Sequence, residues 1–392
     1  MAQQTADVII IGGGITGASA AYQLALRGVR VTLLEKSYLA AGGTGRTVGL
    51  VRQHYSNETT ARMALRALQV WRDFDRVVGG DVGWVQTGAL FIVGPHDLDG
   101  LRANVALQRE VGIQVELLDP PAICALAPYL YVDDIGGAAY EPDAGCADGA
   151  MATNAYAQRA RDLGASIEQG VEVTAICTEA GRVTGVQTTQ GTYSAPVVIN
   201  AAGPWGARLA RTVGFEVPVE VSRHQVAVFQ RPASLSAQHP FVGDFIQGFY
   251  LRPETGGLTL VGSLEASEAE NKADPDRYVE TVDMDFNLAM AELTEHRVPA
   301  MRDAEIRKGW AGLYDVTPDW HPVIGPMPGL EGFICAFGWS GAGFKMAPVT
   351  GEMLADLATG ERRCPIDPHL FRFERFAEGD LVRGRYAYNI MG

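Results

Sequence analysis

The sequence predicts an α/β chain, α+β overall, in which a Rossmann-type nucleotide-binding domain is interleaved with a mainly antiparallel β-sheet domain. Three observations predict it. Val8–Ile11, a β-branched run expected of a buried parallel strand, leads at once into Gly12-x-Gly14-x-x-Gly17. A second apolar run, Val29–Leu34, follows a helical stretch and ends on Glu35. Alternating patterns such as RHQVAVFQ at 223–230 recur in the stretches 84–145 and 216–309, as expected of antiparallel strands covering one face of a site.

In the first unit each glycine has a task. Gly12 allows the tight turn, Gly14 lets backbone approach a pyrophosphate, and Gly17 lets the helix pack against the strand. A helix is expected over about Thr16–Arg27, with Ile15 just before it as a further cofactor contact, Ala20, Ala21, Leu24 and Ala25 on its inner face and Gly28 as its C-terminal cap. The helix N-terminus offers free N–H groups and a positive dipole end to phosphates. Glu35 lies 23 residues after Gly12, the place of a carboxylate on an adenosine ribose, with Lys36 beside it. A 2′-phosphate would be repelled there. An adenine dinucleotide is therefore expected.

The bulk composition sets limits. A chain of 392 residues can hold two or three domains, and a net charge of −14 speaks against nucleic-acid binding by phosphate neutralisation. No apolar run approaches the roughly 20 residues of a membrane helix. The flank MAQQTA carries no basic region, so no signal peptide is expected. The cysteines Cys124, Cys146, Cys177, Cys335 and Cys364 form no CxxC pair and read as buried thiols in a reducing compartment, the cytoplasm. His54, His224, His239, His296 and His321 are dispersed, and no metal site is expected.

The next segments favour FAD over a nicotinamide cofactor. Where a dehydrogenase would continue into another βα unit there is a loop, Gly42–Gly49, able to wrap extended along a long cofactor. Its candidate contacts are Gly42, Gly43, Thr44, Thr47, Gly49 and the following Leu50. VVINAAG at 197–203 is a buried strand ending in small residues, placing Ala201, Gly203 and the nearby Trp205 against the nucleotide. IEQGVEVTAI should hold one more strand, with Val171–Val173 near adenine. Phe333–Phe337 reads as a strand, Gly338–Phe344 as a turn containing Gly338, Ser340, Gly341 and Gly343, and Lys345–Ala358 as a helix. A second helix N-terminus is thus aimed from a sheet edge, where it would stabilise the negative charge of a reduced flavin ring. No second GxGxxG opens a βαβ unit, so the electrons should come from an organic substrate.

Asp7–Lys36, Gly42–Tyr55, Val197–Trp205, Gly309–Gly325 (GWAGLYDVTPDWHPVIG) and Phe333–Gly351 occur in one order along nearly the whole chain. Together they resemble the D-amino-acid oxidase superfamily of FAD-dependent proteins. The closest likeness is to the branch of sarcosine oxidase and its beta-subunit relatives, which includes proline and other secondary-amine dehydrogenases. The resemblance implies an amino-acid or amine oxidoreductase in which an arginine and a lysine clamp the substrate carboxylate, and Arg52 and Lys345 stand at those positions. Arg52 precedes a helix whose N-cap is expected at Ser56 and whose buried face holds Ala64, Leu68, Trp71, Phe74 and Val78. The planar fork of an arginine suits a carboxylate. Tyr250, on a predicted hairpin with arms Phe249–Arg252 and Leu258–Val261, and Tyr314 match tyrosines of the family's substrate site. His54, neighbour of Arg52, is a further candidate.

Three departures bear on the chemistry. Gly312 stands where some relatives carry a cysteine bonded to flavin, so FAD is expected to be non-covalent with respect to that route. A lysine linked to oxygen activation would fall near Thr259, and Ser263 replaces a histidine, which leans toward a dehydrogenase or a slow oxidase.

The cofactor domain is expected at 1–83, 146–215 and 310–365, the substrate domain at 84–145 and 216–309, and a tail at 366–392 able to pack on the body or on another subunit, in a homo- or hetero-oligomer. The expected reaction passes hydride from the C–H beside nitrogen of a small neutral amine acid to flavin N5, with oxygen or another carrier as final acceptor; such a transfer needs no protein base. A hydroxy-acid or glycerol-phosphate dehydrogenase, an NADPH-dependent hydroxylase and a flavin subunit active only with a partner are the competing classes.

Overall fold

A computed structural model describes residues 4–235 and 239–384. A six-stranded sheet lies at its centre, in the order Ser166–Gln169, Val31–Glu35, Val8–Ile11, Val197–Asn200, Phe333–Phe337 and Val323–Pro326. The first five run parallel and the last pairs antiparallel. Val8–Ile11 is buried throughout, as its β-branched run requires of a strand covered on both faces.

Two helices lie against this sheet and matter most for the site. The first spans Ile15–Leu26 and closes at Gly28, whose φ of 77° only glycine adopts without strain. The late helix spans Gly343–Thr359, two residues earlier at its start than the sequence suggests. They cross closely: a Cβ on Gly351 would meet Ser19 Oγ at 2.2 Å. A glycine inside a helix costs about 1 kcal/mol relative to alanine, so its place here reflects the approach of the two backbones.

An eight-stranded sheet stands beside the first, in the order Glu305–Val316, Glu220–Gln230, Leu258–Ser263, Phe249–Glu254, Phe241–Asp244, Ala89–Val93, Gly137–Glu141 and Glu116–Leu118. It is mainly antiparallel, with one parallel pair between Phe241–Asp244 and Ala89–Val93. The boundary expected at residue 310 falls inside the strand Glu305–Val316, which pairs with Glu220–Gln230 along its length.

Several local expectations change. IEQGVEVTAI holds two strands, because Gly170 at φ 74° turns the chain; Ser166–Gln169 joins the central sheet and Val173–Glu179 a separate four-stranded sheet. The Gly42–Gly49 loop is not extended but contains a 3-10 turn at Gly43–Arg46. The helix after Arg52 spans Glu58–Arg72 and is capped by Asn57, not Ser56: the Thr60 N–H donates to Asn57 Oδ1 at 2.9 Å. The cysteines are unpaired, but Cys124 is exposed and only Cys146 and Cys335 are fully buried.

The C-terminal segment docks on the body. Phe371 is buried, and Arg375, fully buried, donates to both oxygens of the buried Asp319 at 2.8 and 2.9 Å. Residues 385–392, with the rest of the aromatic tail, lie outside the described residues. No described helix is long and apolar enough to cross a membrane.

Replacing Gly351 by leucine should force the two helices apart. We expect a loss of at least about 2 kcal/mol in stability and weaker flavin retention, measured by thermal unfolding and by flavin release on dilution. An unchanged melting temperature would contradict the close crossing.

Candidate active site

A cavity of about 920 Å3 runs from the first glycine turn to the start of the late helix. Gly12, at φ 108°, leaves no room for a side chain: a Cβ there would sit 2.5 Å from the Ala201 carbonyl oxygen. Gly14 is the N-cap of the first helix and Ala342 that of the late helix; neither supplies a side-chain capping bond, and neither first turn carries an acid. Two helix N-termini without a capping bond from their own N-cap residues therefore border one cavity, each with N–H groups and a positive dipole end to offer. Thr44 Oγ1 takes the N–H of Ile15 at 3.1 Å. The Glu35 carboxylate accepts from the N–H groups of Gly13 and Ser37, both at 2.7 Å, which fixes it at the strand end. This glycine cradle, with a carboxylate at the ribose position and a second helix end across the cavity, fits a long dinucleotide such as FAD.

Most of the expected cofactor contacts line this cavity: Gly12, Gly14, Ile15, Thr16, Glu35, Lys36, Gly42, Gly43, Thr44, Thr47, Leu50, Val173, Ala201, Gly203, Trp205, Gly312, Ser340, Gly341, Gly343, Phe344 and Lys345. Gly17, Gly49 and Gly338 instead shape the wall from behind. A Cβ on Gly17 would meet Gly12 O at 2.0 Å, and one on Gly49 would meet Ala147 O at 2.0 Å. Gly338 donates its N–H to Asp315 at 2.6 Å.

At the other end of the cavity Arg52 and Lys345 are both buried. The Arg52 guanidinium lies over the Tyr55 ring, 4.4 Å from its centroid, and donates to the His54 carbonyl oxygen. Trp71 Nε1 donates to the Lys345 carbonyl at 2.9 Å and so holds the first turn of the late helix. Burial, and then the positive charge of Arg52, hold the Lys345 ammonium well below its usual range. Among the described residues no carboxylate forms an ion pair with Lys345, so an incoming anion would meet two cations in a place poorly served by water.

Tyr250 and Tyr314 both face this end. Burial raises both phenols above their usual range, so they remain neutral donors. The Tyr314 ring lies against the glycine turn, where a Cβ on Gly341 would come within 2.5 Å of it, and stacks on His224 at 3.8 Å. Burial lowers the His224 imidazole to about 3, which leaves it neutral.

Two expectations fail. His54 does not line the cavity; it is buried behind Arg52, stacked on Phe91 at 4.3 Å. Thr259 is also off the cavity, 3.1 Å from Arg231 and 3.4 Å from His239, so the inference about oxygen drawn from that position has no footing. Ser263 does line it.

Sequence reasoning missed His224, Trp339 and a segment between Pro275 and Glu280 that crosses the dinucleotide end. In that segment Asp276 accepts from Lys36 at 2.8 Å, Trp205 Nε1 at 2.7 Å and Arg208 at 2.6 Å, while Glu280 pairs with Arg46 at 2.9 Å. These cations, the Lys36 hydrogen bond foremost, hold the Asp276 carboxyl down at about 2. His224 carried a signal, its place on an alternating strand; Asp276 carried none.

Residues 7–357 match the family model described as FAD dependent oxidoreductase. The chain is 31% identical over 365 residues to mitochondrial sarcosine dehydrogenase of Mus musculus, covering 90% of this chain but only 39% of that protein. It is 28% identical over 388 residues to sarcosine oxidase subunit beta of Arthrobacter sp, covering 96% of this chain and 92% of that one. The structure of L-proline dehydrogenase from P. horikoshii superposes with a TM-score of 0.89 at 29% identity, over 97% of this chain and all of the other.

Gly12→Val should abolish flavin retention, because its side chain meets backbone and its φ is disfavoured for a β-branched residue. Flavin absorbance per mole of purified protein checks this; a fully yellow, folded variant would refute the cradle.

Proposed function

The chain belongs to the FAD dependent oxidoreductase family, with FAD as its cofactor, and from that premise we propose that it oxidises an amino acid or a secondary amine acid of the sarcosine, proline or glycine kind to the imine. The observation that carries this reading is the pair of buried cations, Arg52 and Lys345, on the wall shared by the cavity and the late helix. Relatives named for sarcosine and proline support it.

Arg52 and Lys345 hold the substrate carboxylate, Arg52 through its planar fork and Lys345 as a point charge. Tyr250 and Tyr314, kept neutral by burial, bound the amine end and exclude water. Lys345, lowered in proton affinity, is charged by the carboxylate it binds. FAD, when bound, supplies the two-electron acceptor, taking hydride at flavin N5. The residues of this chain orient the C–H bond; they need not remove a proton from carbon. The glycine cradle, Glu35 and the late-helix turn hold the cofactor, and Gly312 offers no side chain for a covalent link.

A relative named as a subunit, matched over 92% of its length, supports action within a hetero-oligomer as a second reading. The unpaired cysteines favour the cytoplasm as its compartment.

Anaerobic mixing with a panel of amino acids, N-methyl amino acids and hydroxy acids should bleach the flavin only with amine acids. Arg52→Ala should raise KM about 10- to 100-fold, the weight of a charge-assisted bond pair, with flavin still bound. Bleaching by hydroxy acids alone, or an unchanged KM, would overturn the assignment.

A further inference from the structure

Behind Arg52, away from the cavity, lies a buried polar cluster that the proposed chemistry does not use. Glu141, at the end of strand Gly137–Glu141, is fully buried. One of its oxygens accepts the Gln53 N–H at 2.7 Å, and the other has no hydrogen-bond partner among the described residues. That second oxygen lies 3.7 Å from His54 Nδ1. Gln108 Nε2 is 3.2 Å from the same ring nitrogen, and Asn104 Nδ2 is 3.4 Å from Nε2. The oxygens of both amides are also unsatisfied. One carboxylate oxygen and two amide nitrogens thus surround one imidazole, and three acceptors of the same side chains lack donors among the described residues. Buried acceptors in this condition are costly, and amide orientations can exchange. A neutral imidazole carries one N–H, and one added proton, on Glu141 or on His54, would add a further donor to the cluster.

The cluster is wired to the substrate end. Gln53 and His54 follow Arg52 directly, and the Arg52 guanidinium donates to the His54 carbonyl. The charged or titratable groups acting on the pair are Arg52 and the Tyr55 phenol, with Lys345 and Tyr314 acting on Arg52 from the cavity side. Burial raises the Glu141 carboxyl to about 7, against the opposing Gln53 N–H and the Arg52 charge. Burial, then Arg52, lowers the His54 imidazole well below its usual range.

We propose that Glu141 and His54 are positioning residues for Arg52, and that this buried pair takes up a proton from water when a carboxylate settles on the guanidinium. This rests on the carboxylate clamp proposed above. The ionised Glu141 competes from behind for the Arg52 charge. An anion arriving in front makes that second negative charge unfavourable, and protonation of Glu141 removes it. The sign follows: as pH rises through about 7, Glu141 ionises and carboxylate binding weakens. Lys345 titrates in the same direction, because it too is charged in the complex.

Acetate, a carboxylate that cannot reduce flavin, is the probe. Binding to the holoenzyme is followed by the flavin spectrum from pH 6 to 8, a window set around the value of Glu141. The dissociation constant should rise with pH, and in Glu141→Gln the slope of its logarithm should be shallower by up to one proton, so that affinities differ about tenfold across a pH unit. The infrared difference spectrum of wild-type holoenzyme should gain a protonated-carboxyl band on acetate binding. That band should persist in Asp315→Asn and in Glu268→Gln, whose carboxyls burial also raises, and should vanish in Glu141→Gln. The wild-type band and its persistence in Asp315→Asn and Glu268→Gln test the idea even where Glu141→Gln fails to fold. Acetate binding that depends on Arg52 but shows equal slopes, or no new band, would overturn the proton pair and leave the clamp standing. Acetate binding that survives Arg52→Ala would overturn both.

Discussion

The site depends on a crossing of two helices so close that the Ser19 hydroxyl stands where any side chain on Gly351 would have to go. Gly351 meets Ser19 so closely that the first and late helices lie backbone to backbone. Both N-termini border the same cavity; Thr44 Oγ1 takes the Ile15 N–H of the first, and neither N-cap residue supplies a side-chain bond of its own. The N–H groups left over at a helix end are a standing demand for acceptors. Two such ends facing one long cavity suit a ligand with negative charge at both ends: a diphosphate at one and a ring that gains charge on reduction at the other. The central sheet brings the glycine turns to a common edge, and the crossing aligns them.

The second sheet completes the site from the opposite side. Its strand Glu305–Val316 carries Tyr314 onto the glycine turn, and the buried Asp315 takes the Gly338 N–H that the turn would otherwise leave unpaired. The segment from Pro275 to Glu280 carries Asp276 and Glu280 across the dinucleotide end, onto Lys36, Arg208 and Arg46. These pairs are largely solvent-exposed, so each contributes little alone. Two of them converge on Asp276, with Trp205 Nε1 as a neutral donor, which makes the group a clasp between distant segments of the chain more than a source of stability. At the substrate end the buried Arg375–Asp319 fork ties the chain's last described segment to the loop that carries Trp320 and His321 into the cavity wall.

What could be read from sequence was what local geometry demands. The Gly12, Gly14, Gly17 spacing, the acid at Glu35 and the late glycine turn each follow from a short stretch of backbone. What could not be read depends on where regular structure stops. Arg52 and His54 are two apart and would share a face in a strand, but the strand ends at Val51 and the chain turns, so one reaches the cavity and the other is buried behind it. Thr259 and Ser263 do share a face of one strand, yet they are four residues apart, roughly 13 Å, enough to carry Thr259 out of the site. Ser56 and Asn57 are both good caps, and only the reach of Asn57 Oδ1 to Thr60 decides between them. Asp276 meets Lys36 across 240 residues, with no pattern in either segment to announce it.

Lys345 brings these strands of reasoning together. It is buried, it sits in the first turn of a helix, and it lies beside an arginine. Each placement alone disfavours a charged ammonium: burial through lost hydration, the helix end through its dipole, and Arg52 through repulsion. A single remedy answers all three, an anion held between the two side chains. Glu141 cannot be that anion, because it is fully buried outside the cavity lining, beside Gln53 and His54. It can only compete for the guanidinium. On the proposed reading the site is poised between an internal carboxylate, Glu141, and an external one held by Arg52 and Lys345. Protonating the internal carboxylate would then shift the balance toward the external one, coupling substrate binding to pH without any acid or base touching the reacting carbon.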